Sequence, residues 1–261
     1  MIAWQMLEEM RAALDNPFLV LLGSLIVFSV SAWIGTRLHR VLPIGESDKD
    51  NFSFVLGGTL TLLGLIVGFT FSMAVGRYDQ RKNREEQEAN AIGTAFVQAD
   101  LLPATDAARV RDLLRAYVDQ RILFYTLKDP PQLRRIDAET GRLQREMWTV
   151  VTAHASAQPT PLAALLVSGM NEVLNSQGFS QAAWWNRIPT EAWGLMVGIA
   201  IFCNMLIGLR TRGRSVTLLL ILPIVLSVTF FLIADIDSPR IGVIHVAPRE
   251  LGAVAESMRT P

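Results

Sequence analysis

The chain has 261 residues, of which 51% are hydrophobic and 18% charged, and its 24 basic and 24 acidic side chains cancel to a formal net charge of zero. A balanced charge leaves no electrostatic footprint for nucleic acid. The lone cysteine, Cys203, excludes an internal disulfide and any cysteine-based metal site.

An apolar content of this size is common in soluble proteins, so its distribution decides the class. Four stretches carry no charged side chain: Asn16–Thr36, Asn51–Gly76, Ala192–Leu209 and Ser215–Ala234. Each is near the roughly 20 residues a helix needs to cross a bilayer, and each is apolar all round rather than along one stripe. Glu8 and Glu9 precede the first stretch. With no basic lead-in and no small-residue cleavage site, the first segment is expected to stay in the mature protein. The fold class read from this pattern is an all-α membrane protein with four transmembrane helices in two hairpins flanking a soluble helical domain.

Residues 1–76 hold the first hairpin, with helices at about 17–36 and 54–76, joined through roughly Arg37 to Asp50. The second helix passes Arg77 into Tyr78, Asp79, Arg81, Lys82, Arg84, Glu85, Glu86 and Glu88 without a proline. It therefore reads as one helix continuing into water to about Leu102, with Gly93 inside it. Residues 77–191 form the soluble domain. Thr105 and Asp106 open its next helix, whose apolar stripe ends at Asp129-Pro130-Pro131. A further helix is expected from about Leu133 to Ala155, and another from beyond Pro161 to Trp185. Trp184, Trp185 and Trp193 are expected near the headgroups. Residues 192–235 form the second hairpin, with helices at about 192–209 and 215–234 and a turn at Arg210–Arg214. In the tail, 236–261, the β-branched run Ile241 to Val246 is expected to lie extended.

Four crossings put both termini and the soluble domain on one side. Arg37, Arg40, Lys49, Arg210, Arg212 and Arg214 in the turns argue for the turns being cytoplasmic, whereas Arg77, Arg81, Lys82 and Arg84 argue for the soluble domain.

No phosphate-binding loop, nucleophile elbow or paired-carboxylate pattern is present, so no enzymatic activity and no cofactor are expected. His39, His154 and His245 stand apart from one another and predict no metal site. The membrane segments hold no ionisable residue away from their ends, which disfavours a proton-coupled carrier. Gly57, Gly58, Thr61, Gly64, Gly68, Ser72 and Gly76 recur at three- and four-residue steps on the second helix. Such spacing serves close helix packing, with Gly57, Gly64 and Gly68 as packing positions, or a pore wall. Thr61, Leu65 and Phe69, at successive i+4 steps, would then line the pore, and Arg77, Asp79 and Arg81 would set the charge at its mouth. One chain has too few helices to enclose a pore, so this reading requires self-association in the lipid bilayer.

The run Leu63-Gly64-Leu65-Ile66-Val67-Gly68-Phe69, followed by Ser72 and Arg77-Tyr78-Asp79-Gln80-Arg81, resembles the second helix of bestrophin channels. Glu88-Ala89-Asn90-Ala91-Ile92-Gly93, Asn186-Arg187-Ile188-Pro189 and Asp235-Ile236-Asp237-Ser238-Pro239-Arg240-Ile241-Gly242 resemble the bacterial bestrophin-like membrane proteins of unknown function. The resemblance runs from about Leu56 to the tail. It implies a bacterial inner-membrane protein, a ring of five subunits, a cytoplasmic soluble domain and termini, and an apolar neck at Thr61, Leu65 and Phe69. Thr61 departs from the apolar pattern of such a neck. Animal bestrophins are calcium-gated through an acidic run after the last membrane helix, where this chain has only Asp235 and Asp237, so calcium activation is not carried over. The permeant ion stays open. The alternative function is a non-conducting scaffold or sensor, in which the glycine face is covered by neighbouring helices and the soluble domain binds a partner.

Overall fold

The computed structural model describes residues 16–39, 41, 49–211 and 216–260; Glu8, Glu9, Arg40, Arg212 and Arg214 lie outside these. The regular elements are helices: α1 (Pro17–Leu38), α2 (Lys49–Gln98), a 3-10 turn (Ala99–Leu101), α3 (Ala104–Thr126), α4 (Pro130–Ala157), α5 (Pro161–Trp185), α6 (Thr190–Thr211), α7 (Val216–Asp237) and α8 (Arg249–Ser257). Four helical stretches are long and apolar enough to cross a membrane, lying within Pro17–Leu38, Asp50–Leu101, Pro161–Thr211 and Leu219–Asp237.

Prolines open helices here more often than they close them. Asn16, Asp129 and Thr160 each cap a helix by accepting a backbone N–H with the side chain, and a proline follows at the first helical position. That position needs no N–H, and the proline ring presets its φ. This is why α4 begins at Pro130 rather than near Leu133. Gly93 does not interrupt α2, and a Cβ there would meet Val254 of α8 at 3.9 Å.

The chain divides into two compact units, Met1–Arg77 with Arg187–His245, and Tyr78–Asn186 with Val246–Pro261. In the first, α1 packs on α6 and α7. A close helix approach lies at Gly35 and Gly208: a Cβ on Gly35 would run into the Met205 carbonyl, and one on Gly208 into the Ala32 carbonyl. Beside this crossing the Ser31 hydroxyl donates to the Ile201 carbonyl at 2.6 Å. Phe230 meets Phe28 and Trp193 edge-on at 5.3 and 5.9 Å between centroids, sealing α1, α6 and α7 together. Leu56 of α2 packs with Leu206 and Leu209 of α6.

The second unit is a soluble-type core of α3, α4 and α5 around the far half of α2. Its centre is charged. Glu88 and Arg121 are both 0% exposed and form an ion pair, to which the Tyr125 hydroxyl donates at 3.4 Å. The Arg121 guanidinium also lies 4.5 Å over the Phe124 ring. Phe124, Tyr125 and Trp184 close the cluster edge to face. Trp184 and Trp193 are therefore buried within their units, while Trp185 is exposed. Aromatic residues beside a membrane segment look alike in sequence whether they face headgroups or a core.

The tail differs from expectation in holding a helix. Leu251, Ala255 and Met258 repeat at i, i+4 and i+7 and are buried, yet nine residues are too few to display that period clearly. The buried Glu85 carboxylate caps α8 by accepting the Leu251 N–H at 2.9 Å. Burial raises the Glu85 pKa, and the nearby Glu250 and Glu88 charges add to the effect while the N–H donors of α8 oppose it.

A raised folded-state pKa means that Glu85 contributes most below the ordinary glutamate range, and that this contribution is lost as pH rises through its folded pKa. Glu85→Gln keeps the acceptor without the charge. It is expected to raise the unfolding temperature at pH 8 by roughly 2–4 °C, the shift of about 1 kcal/mol in a chain of this size, and by less at pH 5. Arg121→Met strands the Glu88 carboxylate and should cost about 3–5 kcal/mol. Gly35→Ala and Gly208→Ala force packed backbones apart and should each cost about 1–3 kcal/mol. Thermal unfolding of the purified protein in detergent reads all four.

Candidate functional site

The candidate site is the uncovered side of α2. At 50 residues the helix is about 75 Å long, while the hydrocarbon layer needs only about 20 residues of it. Leu56, Leu63, Thr70 and Ala74 are buried, marking the side that faces the rest of the unit. Two residues along a helix turn it by roughly 200°, so Leu65 points away from the side of Leu63. Leu65 is 54% and Phe69 65% exposed, and Thr61 is exposed as well. The structure thus sets the three expected pore residues in one open row.

The glycines belong to this open side or to its flanks. A Cβ added at Gly57, Gly58, Gly64, Gly68 or Gly76 would meet nothing within 4 Å. Among the described residues, no helix packs against Gly57, Gly64 or Gly68, whereas a close approach lies at Gly35 and Gly208. Single-helix spacing could not separate the two cases, because small residues serve a close crossing and an empty groove equally well.

Thr61, the polar member of the row, donates its hydroxyl to the Gly57 carbonyl at 2.9 Å. With its proton engaged inside the helix, the side chain offers its methyl group and one acceptor oxygen rather than a free donor. This softens its departure from an apolar neck.

The expected mouth residues separate. Asp79 is exposed, whereas Arg81 is 1% exposed and so turned inward. Arg77 is largely covered, and its guanidinium lies 3.6 Å from the Asp237 carboxylate. Asp237 also accepts the Ile188 N–H at 3.2 Å, so one carboxylate ties the end of α7 to the start of α6 and to Arg77 of α2. Asp235 accepts the Val243 and Ile244 N–H groups at 2.6 and 2.9 Å, and Gly242 lies so close beneath it that a Cβ would meet its carboxylate at 2.9 Å. Both aspartates are committed to backbone amides and Arg77. Among the described residues, no group of three His, Cys, Asp or Glu side chains could hold a metal ion.

Sequence reasoning missed Arg121, the partner of Glu88, because 33 residues separate them and a lone arginine on a helical stripe reads as solvated. It missed the Ile188 N–H for the same reason, since a backbone donor leaves no mark in composition.

No curated protein matches this chain. A crystal structure of a bacterial bestrophin homologue from Klebsiella pneumoniae is similar at 18% identity, over 92% of this chain and 95% of that one, with a TM-score of 0.62. A variant of that homologue gives 18% identity over 93% and 97%, with a TM-score of 0.64. A further crystal structure, described as a membrane protein, gives 17% identity over 93% and 97%, also at 0.64. Likeness at this identity shows a shared fold of four apolar spans with a helical domain. The family model of the bestrophin-like domain matches residues 22–251, nearly the whole sequence, and the chain belongs to the bestrophin-like family.

Proposed function

We propose that the protein is an oligomeric ion channel in which copies of α2 surround a shared pore and Thr61, Leu65 and Phe69 form its apolar neck. The observation that carries this reading is the asymmetry of α2, buried along Leu56, Leu63, Thr70 and Ala74 and open along Thr61, Leu65 and Phe69. Other copies of the chain supply the missing wall, with open space beside Gly57, Gly64 and Gly68 allowing their helices to approach. Five copies form the ring, by analogy with the bestrophin-type arrangement, and the chain sits in a bacterial inner membrane with its soluble domain and termini cytoplasmic.

A ring of leucine and phenylalanine narrows the path to a width at which water films break, so conduction starts when the ring wets. The helix exit is held by the Arg77–Asp237 pair, which fixes the register of α2 against α6 and α7.

Purified protein in planar bilayers tests the reading. Leu65→Ala and Phe69→Ala are expected to raise the current several-fold over the unaltered protein, as a wider neck wets more readily. Silent bilayers from a sample shown to be oligomeric by light scattering would contradict it.

A further inference from the structure

The sequence sets Arg77, Arg81, Lys82 and Arg84 where α2 leaves its apolar stretch, and such a cluster reads as a mouth that attracts anions. Helix register redistributes these charges. At about 100° per residue, Arg81 falls roughly opposite Leu65, and it is buried. Arg77 falls roughly 120° from Leu65 and lies against Asp237. Lys82 and Arg84 fall roughly 100° to either side, and Arg84 lies 5.0 Å over the Phe179 ring.

The row that begins with Thr61, Leu65 and Phe69 continues through Ser72, Gly76, Asp79, Asn83 and Glu86, all exposed. Between Tyr78 and Gln98, the charges within about 60° of the Leu65 direction are the carboxylates of Asp79 and Glu86. The charges on the open face are acidic, although Arg77, Arg81, Lys82 and Arg84 crowd the same stretch of sequence.

We propose that Asp79 and Glu86 make the conduction path selective for cations. The inference rests on reading α2 as the pore helix, and it names the ion class that this helix passes. Each copy of the chain brings both carboxylates to the face that lines the path, so a ring of copies carries stacked rings of negative charge. Such rings raise the local concentration of cations and lower that of chloride. Lys82 lies a turn before Glu86 and offsets part of its charge from the side. Asn83 and Gln87, exposed beside these carboxylates, add neutral polar groups that replace part of an ion's hydration.

The test is the reversal potential of the full-length purified protein in planar bilayers under a tenfold potassium chloride gradient. The unaltered protein is expected to favour potassium over chloride by about threefold or more, and Asp79→Asn with Glu86→Gln to lower that ratio by a similar factor. Both side chains are exposed, so each single variant should fold if the double variant does not, and each moves the ratio in the same direction. An anion-selective protein, or a ratio unmoved by these variants, overturns the selectivity assignment and leaves the pore reading standing. Absence of current from oligomeric protein overturns the pore reading and the selectivity with it.

Discussion

A helix 50 residues long that is covered along one side and bare along the other sets the terms for this protein. Bare leucine and phenylalanine are no anomaly in lipid, where hydrocarbon is as good a neighbour as another side chain. A bare row interrupted by glycines, however, leaves a groove that lipid tails fill poorly and that a second helix fills well. Past Gly76 the same row becomes polar and acidic while the helix continues unbroken. An apolar row continued by a polar one suits a helix that leaves the bilayer for water.

Around that helix, buried charge fixes position. Asp237 gathers Arg77 and the Ile188 amide, Asp235 folds the following turn back on itself through two amides, and Glu85 holds the first turn of α8. Glu88 and Arg121 satisfy one another inside the helical domain. Each ionised group has found either an opposite charge or backbone N–H groups, the two arrangements that make burial of a charge tolerable. The Glu-Ala-Asn-Ala-Ile-Gly stretch acquires a physical meaning on these terms. Its glutamate neutralises Arg121, and its alanines and isoleucine enter the core.

Much of the architecture was legible because membrane spans and amphipathic helices announce themselves by length and period. The charge-free stretches, the continuous helix past Arg77 and the row Thr61, Leu65, Phe69 all follow from residue type and spacing. What stayed hidden depends on partners distant in sequence. The Gly35–Gly208 crossing was passed over because neither glycine has another glycine three or four residues away, whereas the glycines of α2 make a motif that no described helix covers. The arginines at the exit of α2 looked like a basic mouth because a linear string does not show that Arg81 turns inward.

The central claim is that the open row of α2 faces a shared axis. The most direct measurement is an electron cryomicroscopy map of the protein in lipid nanodiscs. The expected result is a ring of copies with Thr61, Leu65 and Phe69 turned toward the axis and water density above and below them. A single chain, or a ring whose Leu65 and Phe69 face lipid, would contradict it.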